Sequence, residues 1–323
     1  MASPGTTTFL QRITARVFAV AASAAASGKS APGGGNPVTV FHSPHHALSS
    51  SVQSALAQDC EWESVMISPN HTFHFYMPSG EQVPFCAHAA MGAARAIAET
   101  KDQNELNEQQ QQLLQPWEVP YKTITTPHNM AFVDPKTNNV GLSMTSTYHE
   151  TLVDATQLVH ACGINIDSVL PGYKTNFSIQ ASVARPKTMV PISTLEKLHQ
   201  ISPPFNADAV RMACDDIEST GLYLYAESLP SSSSSGIHWE CRQFPRASGY
   251  PEDPATGIAA AALAVHLHPT RQWKEYHFYQ GTAMGRPSWI QIRKVEILPD
   301  NQVQLECWGR VDIDNRDELE VPI

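Results

Sequence analysis

Two polar residues stand at the heads of two long apolar runs, and their placing suits the binding of a small carboxylate. His88 lies near the start of the run 86–98, which opens Cys86-Ala87-His88 and continues mostly in alanine, glycine, methionine and isoleucine. Asp253, followed by Pro254, heads the run 253–265, which passes through Ala255, Thr256, Gly257 and Ile258 into alanine, leucine and valine. Each run has helix length and almost no polar face, so each predicts a helix enclosed by protein. Asp253-Pro254 reads as a helix start, with Asp as N-cap and Pro at the first helical position, where a missing N–H costs nothing. Helix N-termini carry unpaired N–H donors and partial positive charge, so two starts aimed into one cleft would suit a carboxylate. Taken singly, Asp253 is explained as a cap and His88 as a satisfied structural histidine. Only the pair points to a site.

The two starts lie about half the chain apart, which suggests two equivalent halves, each wrapping sheet around one buried helix. Short strand-like runs at 37–41, 64–68, 72–77, 130–133, 187–191, 221–226, 276–280 and 289–293 supply the sheets. Helix-like segments intervene at 49–57, 155–161 and 193–199. The polar stretch 101–115 and the serine run 231–235 lack the apolar residues that offset ordering entropy, so both are expected as exposed loops.

Composition narrows the class. The 323 residues are 42% hydrophobic and 16% charged, enough for a sizeable core and for two domains. A net charge of −10 disfavours nucleic acid and anionic lipid as partners. No apolar run approaches the ~20 residues that span a bilayer. The six cysteines include no closely spaced pair of the redox or zinc type, so reduced thiols in a cytoplasmic protein are expected. Among fourteen histidines, His42, His45 and His46 cluster in an expected loop and read as surface residues rather than a metal site. Gly33-Gly34-Gly35 precedes a strand and not a helix, so it is no phosphate loop. No cofactor is expected. Arg12 and Arg16 ahead of an apolar run can imitate a targeting peptide, but 16–20 is expected as the first strand of the fold, followed by a loose loop over 23–35.

Four blocks in order carry a resemblance. Gly35-Asn36-Pro37 is similar to a glycine-asparagine-proline signature. Glu81, Pro84, Phe85, Cys86 and His88 follow an E-x-P-F-C-G-H stretch with one extra residue. Glu252-Asp253-Pro254-Ala255-Thr256-Gly257 resembles E-D-P-A-T-G-S, and Gln280-Gly281 with Met284-Gly285-Arg286-Pro287-Ser288 resembles Q-G-x-x-M-G-R-P-S. Together they resemble the PhzF-like family of phenazine-biosynthesis isomerases. That resemblance implies an α+β, diaminopimelate epimerase-like fold of two similar domains, each a mixed β-sheet around a buried central helix. The expected domains are 12–147 and 148–323, with the last strand a candidate to return to the first half.

The resemblance also implies a mechanism: a cofactor-independent isomerase that moves a proton on a small carboxylate-bearing substrate by general acid/base catalysis. The family's catalytic glutamate opens a strand after a helix, which carries that role to Glu63, followed by Ser64. Glu61 is the alternative, because alternation along a strand would put both on one face. The bland reading of Glu63 is a solvated surface carboxylate. Trp62, Val65, Met66 and Ile67 favour an apolar setting, which suits a carboxyl group that shuttles a proton. His88 would orient or relay that proton, Asp253 would hydrogen-bond the substrate, and Asn36, Ala87, Thr256, Gly257 and Ile258 would line the binding site. A homodimer is implied as well.

Two positions depart from the pattern. Ala87 replaces a glycine where a ligand passes close to backbone, and Ile258 replaces a serine at the second helix start. Both argue for a changed substrate, or for the alternative of a catalytically weak member acting as a small-molecule-binding or protein-interaction module. Fold relatives that racemise amino acids use two opposed thiols. Cys86 occupies the place of the first, but no cysteine lies between Cys241 and Cys307 to supply the second, so Cys86 reads as a small buried residue.

Overall fold

The computed structural model describes residues 7–20, 34–104, 116–126, 128–172, 178–228 and 238–322. Chain contacts divide it into two units. The first comprises Met1–Ala19, Asn36–Ser143 and Trp308–Ile323, and the second Val20–Gly35 and Met144–Cys307. The first half therefore ends a few residues before 147, and the C-terminal segment belongs with it.

The first unit contains β1 (Thr7–Ala19), β2 (Asn36–His42), α1 (Ser50–Gln58), β3 (Ser64–Ser68), β4 (Thr72–Tyr76), β5 (Gln82–Val83), α2 (Ala87–Asn104), β6 (Trp117–Thr123), β7 (Asn129–Asp134) and the start of β8 (Asn139–Thr147). Its strands pair in the order β1-β2-β3-β4-β6-β7-β8. The chain's last strand pairs antiparallel with β1, from Thr7 against Pro322 to Ala19 against Arg310. The sheet surrounds α2, which packs on β1, β2, β3, β4, β6 and β7. Ala89, Ala90, Met91, Ala93, Ala94, Ala96 and Ala98 are fully buried, the all-round burial that the apolar run predicts. Gly92 sets the approach: a Cβ there would lie 2.8 Å from Val38 Cγ1 of β2. A smaller cluster, including Leu10, Phe41, Ala57, Met66 and Tyr76, seats α1 outside the sheet.

The second unit continues with β9 (His149–Val153), α3 (Thr156–Ala161), β10 (Ser178–Ser182), β11 (Lys187–Pro191), α4 (Leu195–Gln200), α5 (Ala207–Asp216), β12 (Gly221–Ser228), β13 (His238–Pro245), α6 (Gly257–Arg271), β14 (Glu275–Gln280), β15 (Ser288–Ile297) and the start of β16 (Gln302–Pro322). Its strands run β9-β10-β11-β12-β13-β14-β15-β16, with parallel pairings of β11 with β12 and of β13 with β14. Helix α6 packs on β10, β11 and β15, and Gly257 through Val265 are all buried. A second core joins Leu158 of α3, Leu198 of α4 and Val210 and Cys214 of α5 to Leu222, Leu224 and Phe244. Among the described residues no helix is long and apolar enough to cross a membrane.

Several expectations change. Helix α6 begins at Gly257 and not at Pro254, and its N-cap is Thr256. The first strand reaches back to Thr7, far before residue 16. Helix α2 runs on through Asn104, so 101–104 are helical rather than loop, because nothing in Lys101-Asp102-Gln103 breaks a helix already nucleated. Residues 105–115, the serine run 231–235 and most of the 23–35 loop lie outside the described residues.

Candidate active site

Three elements of the first unit converge on two titratable side chains. Strands β2 and β3 run parallel, with Thr39 opposite Ser64. The Thr39 amide donates to the Glu63 carbonyl at 3.2 Å, so Glu63 is held immediately before β3. Strand β3 is buried throughout Ser64–Ile67, and Glu63 shares that burial at 7% exposure. His88 is the second residue of α2 and is 8% exposed. Its Nε2 lies 3.9 Å from Glu63 Oε2. That separation exceeds a direct hydrogen bond and falls within ion-pair range, a geometry that catalytic groups tighten when substrate binds. Ala87 (5% exposed) and Asn36 (2%), the first residue of β2, sit at the starts of these same elements.

Glu61 separates from Glu63 here. The strand begins only at Ser64, so 61–63 do not share its alternation, and Glu61 is exposed. The two-on-one-face expectation is corrected accordingly: the chain bends across Glu61-Trp62 before entering β3. Cys86 Sγ lies against the face of the His88 ring, 3.3 Å from Nδ1 and 4.0 Å from Nε2. The Cys86 carbonyl accepts from the Ala90 amide at 3.0 Å, so this residue also caps α2.

In the second unit, the third and fourth motif blocks meet, with Gly35 beside the last. Asp253 does not cap α6. Its Oδ1 accepts from the Ala255 amide at 3.2 Å and its Oδ2 from the Thr256 hydroxyl at 2.7 Å, a turn ahead of the helix. Gln280 explains why the helix starts late. Its Oε1 accepts from the Thr256 amide at 3.2 Å, while its Nε2 donates to the Asp253 carbonyl at 2.7 Å and the Thr256 hydroxyl at 3.1 Å. Backbone groups that could have extended α6 are thus satisfied from β14. Gly281, at φ 76°, lets the loop after β14 lie against this turn: a Cβ there would meet the carbonyls of Arg286 and Pro254. The Gly35 amide donates to Ser288 Oγ at 3.1 Å, which joins the first signature to the last. Thr256 and Ile258 are each 8% exposed, and Gly257 is buried between them.

Glu252 holds the turn from below. Its carboxylate accepts from Arg242 Nε at 2.8 Å and Nη2 at 2.6 Å, with side chains only 1% and 3% exposed. Arg242 Nη1 also donates to the carbonyls of Leu198 and Ile201 at the end of α4. Sequence reading passed over this pair, although a charged residue in the segment next to Asp253 was a signal for a buried partner. Nearby in charge terms, burial pushes the Lys187 ammonium down to about 7, reinforced by Arg185 and opposed by Asp253. Among the described residues no cluster of His, Cys, Asp or Glu is arranged to hold a metal ion, and His45 and His46 are exposed.

The model of the phenazine biosynthesis-like protein family, PhzC-PhzF, matches residues 29–309. An uncharacterised isomerase of Clostridium acetobutylicum is 27% identical over 258 residues, 76% of this chain and 78% of the relative. The trans-2,3-dihydro-3-hydroxyanthranilate isomerase of Pseudomonas aeruginosa is 44% identical over 61 residues, 18% of this chain and 22% of that enzyme. In fold, a PhzF-family phenazine biosynthesis protein of Bacillus anthracis superposes with a TM-score of 0.74 at 15% identity, covering 98% of this chain and 100% of the other. The α+β, sheet-around-helix units described above are those of the epimerase-like fold, and the chain belongs to the phenazine biosynthesis-like, PhzC-PhzF, family as one of its isomerases.

Proposed function

We propose that the chain moves a proton on a small carboxylate-bearing, cyclic or amino-acid-like substrate, with Glu63 as the general acid/base and His88 as its partner. One observation carries this reading: a glutamate and a histidine, each under a tenth exposed, face one another at 3.9 Å. A buried carboxylate beside an imidazole can take a proton from carbon and return it at another carbon of the same molecule. In the first step the C–H bond breaks, its electron pair enters a carbon–carbon double bond, and Glu63 holds the proton. In the second, the proton adds to the far end of the shifted π system, so the net reaction is an isomerisation. His88 stabilises whichever charge state Glu63 passes through. No resident cofactor is required by this bookkeeping.

The role carried to Asp253 by resemblance, a hydrogen bond to the substrate, is part of the same proposal, with Thr256, Gly257 and Ile258 as binding residues of its unit. The relative acting on trans-2,3-dihydro-3-hydroxyanthranilate supports a cyclic carboxylate as substrate class. Ile258, which is buried where the family motif has a serine, favours a substrate other than that one. The same residue and Ala87 also support the alternative of a catalytically weak small-molecule-binding or protein-interaction module.

The test is carbon-bound hydrogen exchange in D2O, followed by NMR over a panel of cyclic hydroxy- and amino-acids including the dihydro-hydroxyanthranilate. Wild type is expected to exchange at least one member and Glu63→Gln none. Equal exchange by both proteins rejects the assignment of Glu63, and binding without exchange by wild type favours the module.

A further inference from the structure

We infer that Gln280 is a positioning residue that fixes the side-chain carboxyl group of Asp253, acting through the Thr256 hydroxyl. The inference rests on the reading of Asp253 as a substrate-binding residue and adds what holds it in place. Gln280 ends β14 and is fully buried, and Thr256 is 8% exposed. Gln280 Nε2 donates to the Asp253 carbonyl at 2.7 Å and to the Thr256 hydroxyl at 3.1 Å, while its Oε1 accepts from the Thr256 amide at 3.2 Å. The Thr256 hydroxyl donates in turn to Asp253 Oδ2 at 2.7 Å. The Asp253 backbone is held from the other side, where its amide donates to the Gln243 carbonyl at 3.0 Å.

The Gln280 amide has one possible orientation, because its oxygen faces a backbone N–H and its nitrogen faces a backbone carbonyl. An amide nitrogen only donates, so the Thr256 oxygen accepts from it, and the single hydroxyl proton is left for Asp253 Oδ2. The hydroxyl also forgoes its local use. Thr256 is the N-cap of α6, where a threonine oxygen ordinarily accepts from an amide of the first turn, yet its side chain makes no capping bond. It is turned back to Asp253 instead. Asp253 Oδ1 accepts from the Ala255 amide at 3.2 Å, so both carboxyl oxygens are tied and the plane of the group is fixed. A glutamate at position 280 could not do this in either charge state. Gln280 Nε2 uses two protons, one on the carbonyl and one on the hydroxyl, and a carboxyl group carries at most one.

The experiment compares crystal structures of the full chain as wild type, Thr256→Val, Thr256→Ser and Gln280→Glu. Asp253 is expected to leave its wild-type side-chain torsion in Thr256→Val and Gln280→Glu, with α6 still starting at Gly257, and to resume it in Thr256→Ser, which returns a hydroxyl. That torsion is a readout that a direct contact of Thr256 with substrate would not move. Kinetics follow carbon-bound hydrogen exchange in D2O with trans-2,3-dihydro-3-hydroxyanthranilate as the probe. Thr256→Val should raise KM about tenfold with kcat within about threefold of wild type, and Thr256→Ser should recover most of the loss. The losses of Gln280→Glu and Thr256→Val in kcat/KM should not add in the double variant, since both act on one bond. If Gln280→Glu does not fold, Gln280→Met takes its place, and failure of both to fold assigns Gln280 to the fold alone and overturns the inference. An unmoved Asp253 in Thr256→Val or in the folded Gln280 variant overturns it as well. A turned Asp253 with unchanged KM upholds the positioning and removes Asp253 from the substrate, and if wild type does not exchange the probe the crystal structures decide.

Discussion

Replacing Arg242 with methionine removes one half of a buried ion pair and leaves the other half behind. Glu252 would keep a carboxylate at 1% exposure with two charge-assisted hydrogen bonds gone, at 2.8 and 2.6 Å. The Leu198 and Ile201 carbonyls at the end of α4 would lose their donor as well. Breaking a buried pair from one side costs about 3–5 kcal/mol, because a charge is stranded in low dielectric. Each unsatisfied carbonyl adds on the order of 1 kcal/mol, with overlap between the terms. Against a total stability of about 5–15 kcal/mol that is a large share. Removing both charges together, as Arg242→Met with Glu252→Met, is far less harmful than the sum of the single changes. We expect Arg242→Met to lose about 3–5 kcal/mol and the double variant to recover at least about 2 kcal/mol of the summed loss. Urea unfolding followed by tryptophan fluorescence measures this, since Trp239 lies buried in the same unit. Additive losses, or single losses below about 1 kcal/mol, would refute the claim that this pair anchors the Asp253 turn.

Other expectations follow from the same geometry. Folded Lys187 releases its proton near 7, whereas an unfolded lysine does so near 10.4, so between those values the unfolded state binds more protons and stability rises with pH, by up to about 1.4 kcal/mol per unit. Buried thiols oppose this at alkaline pH, with Cys214 pushed up to about 11 and Cys162 to about 12, so the useful quantity is the difference from Lys187→Met. That variant should hold its largest advantage over wild type at pH 7 and below, and lose about 2 kcal/mol of it by pH 9; a pH-independent difference contradicts it. Gly92→Ala should cost about 1–3 kcal/mol in urea unfolding despite better helix propensity, because the new Cβ meets Val38 at 2.8 Å, and Val38→Ala should restore much of the loss. Gln280→Leu leaves the Thr256 amide, the Thr256 hydroxyl and the Asp253 carbonyl without their β14 partner, so a loss of about 2–4 kcal/mol is expected in the same assay.

What the sequence disclosed, and what it hid, have physical reasons. The two buried helices were legible because an apolar run without a polar face has only one stable setting, and α2 and α6 occupy it. Strands β3 and β11 were legible to the residue, since β-branched or apolar runs bounded by turns signal strongly. The start of α6 was misjudged because a local rule, Asp-Pro as a cap, competed with a distant residue. Gln280 is 24 positions away and decides which backbone groups remain for the helix. The first strand was cut short for the opposite reason: Thr7 to Ala15 alternates weakly and is held by pairing with the far C-terminus. Helix α5 went unnoticed although Asn206 accepts from the Ala209 amide as a cap and Val210, Ala213 and Cys214 form its buried stripe. Glu63 was proposed through resemblance and not through periodicity, and the difference in burial between it and Glu61 was not legible from their spacing. The Arg242–Glu252 pair and the thiol beside His88 are matters of side-chain packing, which no spacing discloses.

The central claim is that a buried carboxylate, and not a neighbouring exposed one, moves the proton. It is tested most directly by comparing Glu63→Gln with Glu61→Gln in deuterium exchange on whichever substrate wild type accepts, with thermal melts to confirm that both variants fold. The account predicts a loss of about 10²- to 10⁴-fold for Glu63→Gln and wild-type rates for Glu61→Gln. Equal rates in the two variants, or a loss confined to Glu61→Gln, would contradict it.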